Sequence, residues 1–386
     1  MAAARLLEII EAKFGDGLKA VRAATARGPD SEPERLRLAY LDLLKLALCD
    51  LVGTRTTSVA RTLDGRVMSR ELEGEQRRFR SAGMDWPLHG LTMVGLARLD
   101  DLQACLESIV RDGVPGDVIE AGSWRGGASM LARATLDTLG ARERTVFVCD
   151  SFQGFPAVEA PADGYDLEAD LAAVDFLAVP LEEVRDSFAR LGLAEGVRFL
   201  PGFFAETLPR LVDHRWALVR LDGDTYEATQ LSLRALYPNL AVGGYLVIDD
   251  YLQIDPCRQA VDDFRREHGI TEPIEPIDWS GARWRRQTAP APGTSPPPPP
   301  PAPTAAPRPV RREPGRVMAF EEVELRHELE QVRARLTAAE AELERLVGHP
   351  LRGPRAWLRR QLRGARGRWP GHRLAAPMRR GQGGER

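Results

Sequence analysis

Four aspartates carry the strongest chemical signal in this chain. The run WALVRLDGDTYE closes an apolar stretch on Asp222 and Asp224, and GYLVIDDY closes another on Asp249 and Asp250. If the two stretches are neighbouring parallel strands, their carboxyl ends share one rim and the carboxylates converge. Like charges at close range are costly unless something positive lies between them, and neither run contains Lys or His. A hard divalent cation satisfies such a cluster through oxygen ligands. Asp222, Asp249 and Asp250 are therefore expected to hold a hard cation, magnesium, manganese or calcium rather than zinc, while capping of the following helix is an equal reading for Asp224.

A second pattern lies upstream. In Glu120-Ala121-Gly122-Ser123-Trp124-Arg125-Gly126-Gly127 the glycines sit between a predicted strand and a predicted helix, where backbone can approach a ligand and helix N–H groups are free. The spacing departs from G-x-G-x-x-G, and Glu120 precedes a single Gly122. An acid there repels a pyrophosphate and attracts an amine, which favours the zwitterionic end of S-adenosylmethionine over a dinucleotide. The plain alternative is a structural glycine turn. Asp150 ends the next apolar run, VFVCD, where a carboxylate can accept both hydroxyls of a ribose or cap a helix.

The elements that must position these residues are legible in outline. From about 117 to 251, DVIEAG, TVFVCDSF, VRFLPG, WALVRLDG and GYLVIDDY alternate with longer amphipathic segments, the first of them GGASMLARATLDTLG. Runs so rich in Val, Ile, Leu and Phe suit strands buried on both faces of a parallel sheet. The expected fold is α/β, a doubly wound mostly parallel sheet, with an N-terminal helical cap and a C-terminal helical extension. Residues 1–80 are assigned to the cap and 81–287 to the sheet domain. A Pro-rich linker follows over 288–316, with six consecutive prolines from Pro296 to Pro301. Leu325, Leu329, Val332, Leu336, Ala339, Leu343 and Leu346 alternate in steps of four and three, predicting a short coiled coil over 317–347 and a homo-oligomer, with a solitary amphipathic helix as the other reading. The acidic insert at 163 to 183 is a candidate mobile lid.

Composition narrows the function further. Net charge is −3, yet the basic tail, 348–386, carries eleven arginines and one acid from residue 351 onward, so residues 1 to 350 sum to −13. An acidic body excludes a specific nucleic-acid footprint, whereas Leu and Trp among the tail arginines suit contact with an anionic membrane surface. A disordered tail, solubilising or sticky towards nucleic acid, is the other reading. Four scattered cysteines, Cys49, Cys105, Cys149 and Cys257, fit neither zinc nor a disulfide framework and are expected as buried thiols. No apolar run reaches the ~18 residues of a membrane span and no cleavable signal is evident; a cytoplasmic enzyme, membrane-associated at most, is expected.

With these motifs assembled, GMDWP (83–87), TMVG (92–95), EAGSWRGG (120–127), DSFQGFP (150–156), LDGDTYEAT (221–229), LYPNLAVGGYLVIDDY (236–251) and CRQAVDDFR (257–265) resemble the macrocin O-methyltransferase family of macrolide biosynthesis. The resemblance spans about 36 to 286 and stops before the linker. It implies a class I methyltransferase fold, S-adenosylmethionine, Mg2+ and methyl transfer to a sugar hydroxyl on a glycosylated natural product or a cell-surface glycan. By motif, Glu120, Gly122, Trp124 and Arg125 line the methionine end, and Asp150 with Ser151 holds the ribose. Gln153, Phe203 and Phe204 lie near the adenine, and Met93 meets the cofactor from the N-terminal side. Catechol-type relatives use a lysine base near the first aspartate; here Asp222 is followed by Gly-Asp-Thr-Tyr. Asp222 is therefore the expected base as well as a ligand, with Asp224 and His89 as outsiders. An NAD-dependent Rossmann oxidoreductase and an inactive methyltransferase-like scaffold in a glycan-assembly complex are the alternatives.

Overall fold

The computed structural model describes residues 31–61, 67–156, 171, 172 and 174–288. Ser31 caps helix α1 (Glu32–Leu48) by accepting from the Glu34 amide, with Pro33 in the first turn, a start worth about 1 kcal/mol. The chain then forms a hairpin, β1 (Thr56–Arg61) and β2 (Val67–Leu72), paired antiparallel from Thr56↔Leu72 to Arg61↔Val67. The expectation of an all-helical cap over 1–80 is corrected on this point. β-Branched Thr56, Thr57, Val59 and Val67 flank an Asp64-Gly65 pair, and that combination is a hairpin signal. Helix α2 (Arg77–Ala82) and a short β3 (Trp86–Pro87), which pairs with β1, lead into helix α3 (Leu96–Arg111).

The main sheet starts at β4 (Asp117–Ala121), followed by helix α4 (Gly127–Thr138), β5 (Val146–Asp150), helix α5 (Leu181–Arg190) and β6 (Val197–Pro201). The short α6 (Phe204–Thr207) precedes β7 (Trp216–Leu221), α7 (Tyr226–Leu236), β8 (Leu240–Ile248) and α8 (Asp255–Glu267). Two short strands, β9 (Glu275–Pro276) and β10 (Ala282–Arg285), close the edge. The order is β6-β5-β4-β7-β8-β10-β9, parallel from β6 to β8 and antiparallel at β10 and β9. This is the expected doubly wound sheet, and all five predicted strands are present.

Chain order reverses at β4, whose neighbours are β5 and β7. Such a switch point opens a crevice beyond the carboxyl ends of the strands, where ligands bind in folds of this kind. Both sheet faces are covered. Leu99, Leu102, Leu106 and Ile109 of α3 pack with Met130 and Leu131 of α4 on one side; Leu233, Leu236, Val261 and Phe264 pack with Phe147, Val219 and Leu246 on the other. All four cysteines are buried and free. Among the described residues no helix is long and apolar enough to cross a membrane. The linker, coiled-coil and tail assignments lie outside the described residues, apart from Thr288, as do residues 1 to 30 and much of the acidic insert.

Candidate active site

Register aligns the site. Ala121 pairs with Cys149 on one side and Leu221 on the other, and Leu221 pairs with Ile248. One step further along, Asp150 at the end of β5 and Gly122, Asp222 and Asp249, each just past its own strand, therefore stand in a single rank. The backbone continues the ladder there: the Asp222 amide donates to the Ala121 carbonyl and the Asp249 amide to the Leu221 carbonyl, each at 2.9 Å. Gly122 has φ +91 and lies against the Asp222 carbonyl so closely that a Cβ would overlap it. Only glycine lets the turn after β4 pass this close to the end of β7.

The sequence argument for a cation rested on repulsion without a positive partner, and here the structure changes the premise. Arg220, on β7 and 3% exposed, donates through Nη1 to Glu120 Oε1 at 2.6 Å and to Asp222 Oδ2 at 2.8 Å, and through Nη2 to Asp249 Oδ1. Arg98, on α3, donates to the other oxygen of Asp249 through Nη1 and to Asp278 Oδ2 through Nε at 3.0 Å. Gly281 leaves room for it, since a Cβ there would lie 2.9 Å from the Arg98 side chain. Asp249 thus has both oxygens on guanidinium groups. Arg220 lay in plain view inside an apolar strand run, where a buried arginine signals a buried acid; Arg98 and Asp278 had no local signal.

The remaining acids are less well served. Single carboxylate oxygens of Asp222, Asp224 and Asp250 lie within 4.8 Å of one another. Asp250 Oδ2 is buried without a hydrogen-bond partner. Thr225 caps α7 by accepting from the Ala228 amide, which removes capping as the reason for Asp224. Asp224 is instead held at φ +57, a strained backbone for a residue with a side chain. Burial, then the charges of Asp222 and Asp249, push the Asp224 carboxyl up to about 7. Asp222, whose side chain is 28% exposed, is raised to about 6 by loss of solvent and by Asp249, against the pull of Arg220. Asp250 is raised well above the carboxylate range by burial and by Asp224, Asp222 and Asp249.

On the glycine-turn side, Glu120 is buried, bound by Arg220 and the Ser129 hydroxyl, and pushed up to about 7 by that burial. Asp150 Oδ2 accepts from the Ser123 and Trp124 amides at 2.8 and 3.0 Å, and Oδ1 accepts from the Phe152 amide at 2.8 Å. Its observed work is to pin the turn, including Trp124 at φ +48. Leu91, two residues before Met93, accepts the Gly127 amide through its carbonyl, and Thr92 lies against Gly127, so the start of TMVG lies beside the first turn of α4. The Ser151 hydroxyl closes a turn onto the Gly154 carbonyl, and Gln153 is exposed.

Arg125 and the Phe203-Phe204 pair have protein contacts of their own. Arg125 donates to the carbonyls of Leu88 and Gly90 and lies over the rings of Trp124 and Phe176. Phe204 reaches towards Gly223, whose Cβ would lie 3.2 Å from its ring, beneath the Asp222–Asp224 loop. Phe203 caps the same short helix without a side-chain bond. His89 is exposed and has no described contact with the carboxylates.

A glycine turn led by an acid, at the switch point of a doubly wound sheet, places this molecule among the class I methyltransferases. A family model for macrocin-O-methyltransferase matches residues 39–286. The chain belongs to the macrocin O-methyltransferase family. It is 46% identical over 260 residues, 67% of this chain and 96% of the relative, to the 8-demethyl-8-(2,3-dimethoxy-alpha-L-rhamnosyl)-tetracenomycin-C 4'-O-methyltransferase of Streptomyces olivaceus. It is 44% identical over 252 residues, 64% of this chain and 96% of the relative, to the mycinamicin III 3''-O-methyltransferase of Micromonospora griseorubida. The solved structure of the O-methyltransferase NovP superposes with a TM-score of 0.57 at 39% identity, covering 65% of this chain and all of that one. The protein is an O-methyltransferase with S-adenosylmethionine as methyl donor. This sets aside the oxidoreductase and scaffold alternatives.

Proposed function

We propose that this enzyme methylates a sugar hydroxyl on a glycosylated natural product or related glycan, with a divalent cation in the acidic group at the ends of β7 and β8. The observation that carries the cation is Asp250 Oδ2, buried and unpartnered beside Asp222 and Asp224. A donor set made only of carboxylate oxygens fits Mg2+ or Mn2+. Asp222 and Asp250 would hold it. The sequence reading named Asp249 as the third ligand; both of its oxygens are on arginine, so it braces the site from behind. Bound there, the cation would lower the pKa of the acceptor hydroxyl and orient it.

The chain's own groups do the rest. Glu120, fixed by Ser129 and Arg220, would receive the donor's amine, and Asp150 a ribose hydroxyl through its less crowded Oδ1. The sequence reading gave the acceptor proton to Asp222. Arg220 holds Asp222, whereas Asp224 has, among the described residues, no ion pair to a guanidinium and its carboxylate lies beside Asp222 and Asp250, free to take a proton from an oxygen held there. We therefore assign the proton to an Asp224 oxygen. The sugar class follows the two relatives, whose names specify sugar positions.

The test is mass spectrometry of deoxyhexosyl glycosides incubated with S-adenosylmethionine, with Mg2+ and with chelator. One methyl added to the sugar with Mg2+, and none with chelator, is the expected result. Methylation on the aglycone, or turnover untouched by chelator, would overturn the reading.

A further inference from the structure

One guanidinium serves both halves of this site. Arg220 Nη1 is shared between Glu120 Oε1 at 2.6 Å and Asp222 Oδ2 at 2.8 Å, while Nη2 holds Asp249. The side chain is buried on a central strand. Burial opposes its charge, and Asp249, Asp222 and Glu120 outweigh that opposition. Arg98 braces Asp249 from the opposite side and is itself anchored on Asp278, and Asp278 is fixed by the Ser280 and Gly281 amides. With one end so anchored, the freedom left to Arg220 is how it divides between Glu120 and Asp222.

We infer that Arg220 is a positioning residue that couples donor binding to cation binding, so that each ligand weakens the other through this shared guanidinium. The inference rests on the donor and cation reading above. A cation on Asp222 takes over that carboxylate and repels the guanidinium, leaving it more fully on Glu120. The donor's amine then meets a carboxylate already neutralised. Conversely, an amine on Glu120 pushes the guanidinium toward Asp222, where it competes with the cation. Coupling between two binding equilibria is reciprocal. S-adenosylhomocysteine lacks the donor's sulfonium charge and carries an ammonium and a carboxylate at its amino-acid end, so its direct repulsion from the cation is small and the coupling it reports must pass through Arg220.

The test is calorimetry on the full chain with S-adenosylhomocysteine and Mn2+ as probes, each titrated with and without a saturating amount of the other. In the unaltered protein each ligand should bind about tenfold more weakly when the other is present. In Arg220→Lys, which keeps one positive charge but cannot reach three carboxylates in a planar fork, and in Arg220→Gln, the ratio should fall below about twofold. Circular dichroism and thermal unfolding establish that each variant is folded, and the lysine variant keeps the test valid if the glutamine variant is not. A ratio near one in the unaltered protein, or an undiminished ratio in folded Arg220→Lys, overturns the inference and leaves the two-ligand reading standing. Absence of Mn2+ binding in the unaltered protein overturns both.

Discussion

The two edges of the main sheet use the same residue types to opposite ends. At the amino edge, Asp117 accepts from the Thr145 amide at 2.7 Å and meets His214 Nε2 at 2.7 Å, while Arg144 donates to the Gly116 and Val114 carbonyls at 2.6 Å each. These groups tie loops together, stay partly exposed and have partners. At the carboxyl edge, among the described residues, the ion pairs of Glu120, Asp222 and Asp249 run to Arg98 and Arg220, and Asp224 and Asp250 have none. One edge balances its charges and the other leaves an acidic excess. An excess of buried acid weakens a fold unless a cation or proton arrives, which supports the proposal that the carboxyl edge is the working one.

Removing that excess should give the largest effect. Asp222→Asn combined with Asp250→Asn should lower kcat/KM by at least about a thousandfold, measured by methyl transfer at saturating donor, while leaving the unfolding temperature of the metal-free protein unchanged or raised. A fall in stability comparable to a core mutation would mean these acids are structural like Asp117. Next comes the division of labour among the acids. Asp224→Asn should lower kcat by about a hundredfold or more with Mn2+ affinity nearly kept, whereas Asp222→Asn should lose the metal. The reverse outcome would return proton transfer to Asp222.

The edges should also separate by pH. Burial lifts Glu120 and Asp224 to about 7, so the folded metal-free protein retains protons that an unfolded chain, with carboxylates titrating near about 4, has released. Stability should therefore fall as pH rises from about 4 to about 7 and level off above that. Saturating Mg2+ should flatten the slope. Melting temperatures measured from about pH 5 to about pH 8 check this, and a metal-free protein that gains stability over that range contradicts it. The smallest effect belongs to the amino edge. Asp117→Asn should cost about 1 kcal/mol of stability, seen in denaturant unfolding, with methyl transfer and Mn2+ affinity unaltered.

The contrast also explains what the sequence revealed. Strand runs such as VFVCD and WALVRL are largely apolar on both faces, so the parallel sheet and the placement of Asp150, Asp222 and Asp249 at carboxyl ends of strands followed from pattern alone, whereas the strand order, and with it the switch point at β4, did not. The hairpin after α1 was missed because its short, partly polar strands give little periodicity, although Asp64-Gly65 was a usable cue. In the site, nearest-neighbour logic failed where partners came from far away. Arg98 lies 151 residues from Asp249, and no spacing rule connects them. The cluster therefore looked like unrelieved repulsion when two arginines already relieved part of it. The antiparallel strand β10 and Asp278 were invisible for the same reason.

The central claim is that the carboxyl-edge acids hold a divalent cation, and Mn2+ binding followed by electron paramagnetic resonance tests it most directly. One ion bound per chain in the unaltered protein, and none in Asp222→Asn combined with Asp250→Asn under the same conditions, is the predicted result. Equal binding by both proteins, or none by either, would contradict the account.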